Sequence, residues 1–573
     1  MKSQAVHLGK HRQALDHPFP KGPEVAPSSR PTVALEQSPV LPPEVYLIGC
    51  GHDTTHTAQG SAQRMGFKAW NLLRMAGLSL PVPPAFVLGT HYCVDPAARA
   101  MSAHPDVWRA GLQALEQATG LTLGDARRPL LLSVRSGAPV SMPGMMETLL
   151  NIGLCDHTVE GLLRQTGNPR LVWDAYRRLV ASYGEVVAGL PALCFEEVAA
   201  ALLQGRDERL LDFADLRWLT QRFLQVYAEH AGHPFPQQPT AQLAGAIEAV
   251  FSSWQSAKAQ AYRRLNHLDD AIGTAVTVQC MVFGNAGGRS GAGVGFTRDP
   301  GSGAPNLWVD FLFDAQGEDV VSGRRSAHGH DELATVLPEV WQALNDATQQ
   351  LEHAFGDMQD FEFTVQDSRL FMLQTRAGKR TPQAAARIAL DLLDTGLIEP
   401  DVALARTAGL DRQALAQTHV VACDGTPLRP LGHAASASSG VAVGEIALDA
   451  ARALARHETG IPVVLVRRDA DTADIAALES ATGLLTQRGA RTSHAAVVAR
   501  QLGKVCLVGC SELQIDETAR TAKVGDQILH EGDLLTLDGN DGTFYAGKSQ
   551  VEVTFPEALL ARLGALRRGS QIG

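Results

Sequence analysis

Apolar residues fall into distinct patterns along this chain. Short continuous runs, AFVLGT (Ala85–Thr90) and PLLLSVRSG (Pro129–Gly137), predict buried strands. Residues 157–270 change period: LVWDAYRRLVASYGEVVAGL (Leu171–Leu190) and LAGAIEAVFSSWQSAKAQAYRRL (Leu243–Leu265) space their apolar residues about 3.6 apart, which predicts amphipathic helices. Residues 273–380 return to strand patterns in TAVTVQCMVFGN, GVGFTRDP, NLWVDFLFD and DFEFTVQDSRLFMLQTR. Helical patterning follows from Pro382 to about Ala416, including AAARIALDLLDTGLI. From Thr426 to Gly547 the pattern is that of an αβ domain, and FPEALLARLGALRR after it reads as a short amphipathic tail. Residues 1–42, rich in Pro, Ser, His and charge, predict a disordered arm. There is no long-period internal repeat.

Length and composition narrow the classes. A chain of 573 residues needs three or four cores. Hydrophobic content of 45%, a mean hydropathy of -0.05 and no apolar run of ~18 residues predict an ordinary soluble protein without a membrane span. A net charge of -11 and a pI near 5.9 argue against general nucleic-acid binding. The start of the chain lacks the apolar core of a secretory signal. The eight cysteines are scattered without a CxxC, and core packing is the reading for Cys506 and Cys510. A reducing cytoplasm fits best.

Five segments carry candidate chemistry. LTQRGARTSHAAVVARQLGKVCLVG (Leu485–Gly509) predicts strand, loop, helix, strand, with His494 in the helix's first turn. Free amides and the positive end of a helix dipole stabilise a phosphoryl group there, and neutral imidazole is nucleophilic. Arg135 leaves a buried strand beside Ser136 and Gly137, where its planar fork suits phosphate oxygens; the following loop VSMPGMMETL serves structure as readily as it lines a triphosphate. GNAGGRSGAGVGFTRDP (Gly284–Pro300) reads either as a phosphate-covering loop between two strands or as a flexible hairpin. Lys68 stands just before a helix, within reach of a nucleotide phosphate if not simply solvated.

The fifth segment, DFEFTVQDSRLFMLQTR (Asp360–Arg376), predicts a hairpin about Gln366–Arg369. Alternation places Asp360, Glu362 and Thr364 on one face of the first strand, and Leu370, Met372, Gln374 and Arg376 on one face of the second. An odd-numbered loop centred on Ser368 then sets Glu362 opposite Gln374. A carboxylate and an amide oxygen facing one cleft suit Mg²⁺ carried by a nucleotide triphosphate, with Arg376 to neutralise phosphate.

These segments, in this order, resemble the pyruvate phosphate dikinase family. SVRSGAPVSMPGMMETLLNIGL, GFTRDP, FLFDAQGEDVVSGRRS, DFEFTVQDSRLFMLQTRAGKRTPQAA and GARTSHAAVVARQLGKVCLVGC carry the likeness, which runs from about Tyr46 to Gly547. Serine before the histidine resembles this family more than PEP synthase, where cysteine is usual. The resemblance implies an α/β and α+β multidomain chain. An ATP-grasp-like nucleotide-binding region (43–380, helical insertion about 157–270) is followed by a helical linker (381–425), a swivelling phosphohistidine domain (426–550) and a C-terminal tail (551–573). It implies nucleotide roles for Lys68, Arg135, Glu318, Asp360, Glu362, Gln374 and Arg376, with Glu362 and Gln374 holding Mg²⁺. His494 becomes the phosphocarrier, with Arg135 beside it in catalysis, and Thr492 matches a residue that regulatory kinases phosphorylate in some members.

The implied chemistry uses ATP and phosphate, forms a pyrophosphoryl and then a phosphohistidine intermediate, and releases AMP and pyrophosphate. In the family the phosphoryl group then reaches pyruvate on a (β/α)₈ barrel. Such a barrel needs ~250 residues, so this chain is expected to hand its phosphoryl group to a barrel on another polypeptide. The chain departs from the family's GGKG at Gly66-Phe67-Lys68-Ala69, from GGMTSHAA at Ala490 and Arg491, and from an ASPG-like entry at Ala437-Ser438-Ser439-Gly440. The altered stretch around Lys68 and the missing barrel keep open a non-catalytic nucleotide-binding paralogue that regulates or scaffolds a full-length dikinase, and a PEP synthase-like or other-acceptor dikinase stays open as well. A homo-oligomer stays open.

Overall fold

A computed structural model describes residues 40–51, 60–140, 142, 145–206, 208–321, 330–422, 429–469, 474–491 and 493–569. The arm expected over residues 1–42 falls almost wholly outside the described residues, as does Thr492; the side chains of Glu318 and His494 do too.

The first sheet is antiparallel throughout, in the order Val45–Ile48, Ala85–Leu88, Ala275–Cys280, Leu132–Gly137, Thr148–Ile152. Its strands are apolar on both faces because both are covered. Phe86 and Leu88, with Val276, Val278, Leu132 and Val134, face helices that include Pro169–Val186, Phe213–Ala231 and Pro239–Ser252. Ala85 and Val87, one residue out of phase, face helix Phe67–Gly77 and a second sheet. The region read as helical from its period, 157–270, supplies most of the first cover.

The second sheet runs Trp308–Phe313, Gly291–Phe296, Gln359–Gln366, Arg369–Ala377, all antiparallel. Val309, Phe311, Phe361, Phe363 and Val365 point into the core shared with the first sheet and with helix Pro338–Phe355. Gly284–Ser290 lies between strands Ala275–Cys280 and Gly291–Phe296, and the second half of the glycine-dense segment is a central strand, as the pattern GVGFTRDP predicts. Gly291, Gly293 and Gly295 recur every second residue because aromatic rings lie across them: a Cβ on each would meet a ring atom of Phe311, Phe363 or Phe361 at 2.2, 2.4 and 2.8 Å.

The eight-stranded sheet of the C-terminal half holds four parallel neighbours, Val441–Ala447, Val463–Arg467, Gly483–Thr486 and Val505–Val508. The crossovers between them contain helices Ala450–Glu458, Ile475–Ser480 and His494–Gln501. Residues after Gly547 do more than trail. Strand Gln550–Thr554 pairs with Gln417–Val421, and helix Glu557–Gly569 buries Leu563 against Ala386, Leu390 and Leu415. Arg562 meets Asp391 at 3.0 Å and Asp394 at 2.8 Å. Both connections to the C-terminal half therefore run side by side as one ribbon.

Gly293→Val should lower unfolding free energy by about 2–3 kcal/mol, since it overpacks the Phe363 ring. Gly288→Ala, at a position with nothing within 4 Å, should stay within about 0.5 kcal/mol. Chemical denaturation of the two variants separates a packed strand from a loose loop.

Candidate functional site

The predicted pairing of Glu362 with Gln374 is present, but it arises differently. The hairpin turn has two residues, Asp367 and Ser368, both with positive φ (48° and 63°), and Gln366 pairs with Arg369. On that register Phe363 meets Met372. A bulge then leaves Leu373 without a partner, and from there Glu362 meets Gln374 and Asp360 meets Arg376. The bulge also overturns the shared face expected for Leu370, Met372, Gln374 and Arg376. Leu370 and Met372 lie in the core, whereas Gln374 and Arg376 turn to the opposite side with their carboxylate partners.

That opposite face collects the charges. Arg376 Nε donates to Asp360 Oδ2 at 2.8 Å. Burial pushes the Asp360 carboxyl up and Arg376 works against the rise. For Arg376 burial opposes the charge, yet Asp360 and Glu362 together hold its pKa above the ordinary value. Arg135 reaches over from the first sheet to within 3.8 Å of Glu362.

Lys68 enters from helix Phe67–Gly77. Gly66 precedes that helix with φ 76° and ψ 154°, a conformation open essentially to glycine alone, and a Cβ there would lie 1.8 Å from the Gly137 carbonyl oxygen. Phe67 N–H donates to the Ala138 carbonyl at 3.0 Å. Of the altered Gly66-Phe67-Lys68-Ala69 stretch, the position that sterically requires glycine has kept it, and Ala69 is packed in the core. Buried Asn71, one turn on, donates through Nδ2 to the Thr375 carbonyl at 2.8 Å and ties this helix to the strand carrying Gln374 and Arg376. Loss of hydration at the ammonium, with Arg135 and Arg376 close by, pushes Lys68 down to about 8, and Glu362 opposes the fall.

The fourth component is the loop before His494. Strand Gly483–Thr486 leads into it, and Ser493 caps helix His494–Gln501 by accepting from the Ala496 N–H at 3.4 Å. His494 thus begins the helix, as its sequence predicts. Arg491 Nε and Nη2 both lie 3.1 Å from Asp310 Oδ1, and its guanidinium sits 4.1 Å from the Trp308 ring centroid. Asp310 is in register with Val294, which is in register with Glu362. The loop therefore rests on the sheet face that bears Asp360, Glu362, Gln374 and Arg376. Sequence reasoning missed Asp310, Trp308 and Asn71. The first two could have been found by extending the alternation argument to NLWVDFLFD, where a carboxylate interrupts an apolar strand.

Glu318 falls in helix Gly317–Val321, whose neighbouring Asp319 carboxylate accepts from the Gln316 N–H at 2.9 Å. Its own side chain and the whole of Thr492 lie outside the described residues. Seven cysteines are described and all are free thiols, Cys506 pushed up to about 12 by burial. Among the described residues no helix is long and apolar enough to cross a membrane.

The family described as pyruvate phosphate dikinase, AMP/ATP-binding domain, matches residues 101–335 and 330–396, and that described as PEP-utilising enzyme, mobile domain, matches residues 460–542. Pyruvate, phosphate dikinase 2 of Zea mays is 41% identical over 506 residues, covering 87% of this chain and 57% of the relative. Pyruvate, phosphate dikinase of Clostridium symbiosum is 41% identical over 498 residues, covering 85% and 57%. Pyruvate, phosphate dikinase 1, chloroplastic, of Arabidopsis thaliana is 39% identical over 530 residues, covering 91% and 54%. The chain belongs to the pyruvate phosphate dikinase family. It spans a little over half the length of these relatives.

Amine-selective labelling of Lys68 should show a midpoint near pH 8, and Arg135→Leu should move that midpoint upward by removing a like charge. The unfolded chain binds the extra proton between pH 8 and 10.5, so across that window wild type should gain stability relative to Lys68→Met as pH rises.

Proposed function

We propose that this chain carries out the ATP-to-phosphohistidine half of a dikinase reaction, on an ATP-grasp-like nucleotide site. One observation carries the reading: a single sheet face holds the Glu362–Gln374 and Asp360–Arg376 pairs, with Arg135 and Lys68 above it and the His494 loop resting on it. ATP's phosphates lie between Lys68, Arg135 and Arg376. The His494 imidazole attacks the β-phosphorus, the bond to the α–β bridging oxygen breaks, and AMP leaves. Inorganic phosphate then takes the terminal phosphoryl group as pyrophosphate, leaving phosphohistidine. The remaining phosphoryl group passes to an acceptor, pyruvate on a PEP-binding barrel being the one the family context favours.

Glu362 and Gln374 are the residues that would hold Mg²⁺. Their oxygen donors suit a hard cation. Two oxygen donors leave the rest of its coordination to polyphosphate and water. A bound Mg²⁺ would supply neutralisation of phosphate charge. Arg135, 3.8 Å from Glu362, offsets that carboxylate's charge, and Asp360 orients Arg376.

The regulatory-paralogue reading rests in part on the altered stretch around Lys68. Gly66 keeps the one conformation the turn requires, and Lys68 reaches the charged face, which supports catalysis instead.

Incubation with Mg²⁺, phosphate and ATP labelled at either the β or the γ position tests the proposal. β-label should become acid-labile protein label on wild type, with AMP and pyrophosphate released; γ-label should end in pyrophosphate. His494→Ala should lose all label and keep nucleotide affinity within about twofold, since binding uses other residues. Nucleotide binding without label on wild type would sink the proposal. Glu362→Gln should slow labelling by at least about tenfold, given the loss of a charged oxygen at a phosphoryl-transfer site.

A further inference from the structure

Arg491 stands three residues before His494, where the family resemblance commonly gives methionine. Its guanidinium grips one strand at three points. Nε and Nη2 meet Asp310 Oδ1 at 3.1 Å, Nη2 meets the Val309 carbonyl at 3.3 Å, and the plane sits 4.1 Å from the Trp308 centroid. Asp310 is only 2% exposed, so the pair is formed largely out of water. Arg500, itself buried, fixes the other side: Nε and Nη2 donate to the Ala437 carbonyl at 2.9 and 2.7 Å, and Nη2 reaches the Arg491 carbonyl at 3.3 Å. The segment entering the His494 helix is thus clamped between its own sheet and the nucleotide sheet. The clamp lies in the same cross-strand row as Glu362 and Gln374.

We propose that Arg491 is a positioning residue: its grip on Asp310 and Trp308 holds the His494 loop over the nucleotide face, speeding transfer onto His494 and slowing departure of the histidine-bearing half. Methionine has neither the charge nor the donor fork to do this. The transfer part rests on the reading of His494 as phosphocarrier; the docking part does not.

The test compares wild type, Arg491→Met and Arg491→Lys in the full chain by small-angle X-ray scattering without nucleotide, single-turnover labelling from saturating Mg²⁺–ATP, and nucleotide affinity. Arg491 is on a partly exposed loop, so both variants should fold; circular dichroism checks this. Arg491→Met is expected to increase the radius of gyration and to slow labelling by about tenfold with nucleotide affinity unchanged. Arg491→Lys should recover part of each effect. Unchanged scattering in Arg491→Met overturns the proposal, whatever the labelling rate. Altered scattering with unchanged labelling overturns its transfer part. Altered scattering when wild type itself takes no label supports the grip and overturns the phosphocarrier reading instead.

Discussion

One inserted residue organises the site. Leu373 has no partner in the hairpin of Gln359–Gln366 with Arg369–Ala377, and the bulge it makes shifts the second strand's phase. Before it, Leu370 and Met372 fill the core; after it, Gln374 and Arg376 stand beside Glu362 and Asp360 on the opposite face. A strand with unbroken alternation would bury all four residues or expose all four. The bulge lets one short strand finish a hydrophobic core and also present a polar pair to a cleft. Such bulges re-aim side chains beside functional sites.

The rest of the cleft depends on that face being fixed in space. The aromatic rings of Phe311, Phe361 and Phe363 lie across the glycines of the central strand and bring the sheet close against its neighbours. Asn71 locks the Lys68 helix to the same hairpin through the Thr375 carbonyl. Gly66 lets that helix begin against the Gly137 carbonyl, where any side chain would collide. Asp360 and Glu362 then face Arg135, Arg376 and Lys68. Cations exceed carboxylates there, the balance expected of a surface that receives a polyphosphate. The depressed Lys68 pKa reflects burial first and the neighbouring Arg135 and Arg376 second. An incoming anion would relieve it.

Membership in the pyruvate phosphate dikinase family places the chain's departures in context. Phe67 and Ala69, on either side of Lys68, stand where the family resemblance gives glycines, and the geometry asks for glycine at Gly66. Arg491 is a departure of another kind, because it adds contacts between the two halves of the molecule. The paired strands Gln417–Val421 and Gln550–Thr554 are the route by which those halves are joined, so contacts such as the Arg491–Asp310 pair influence how the halves sit.

Much of this was legible in the residues themselves. Local rules suffice for the strand–loop–helix–strand unit around His494, because an apolar run, a serine cap and a small-residue helix are properties of neighbours in sequence. The same holds for the helical period of residues 157–270 and for the choice of Glu362 and Gln374 as partners. The reason for that pairing was not legible: an odd loop and a two-residue turn with a bulge give the same partners but opposite faces for Leu370 and Met372. How the glycine strand packs was not legible for a similar reason. Whether alternate glycines are loose or lie under aromatic rings depends on which residues of Trp308–Phe313 and Gln359–Gln366 come to lie beside them. The elements and the chemical types available are written in the chain, since they follow from short-range periodicity and side-chain chemistry. Which residues share a face is settled only on folding, and that step added Asp310, Trp308 and Asn71 to the site: cross-strand register is set by packing between segments far apart in the chain.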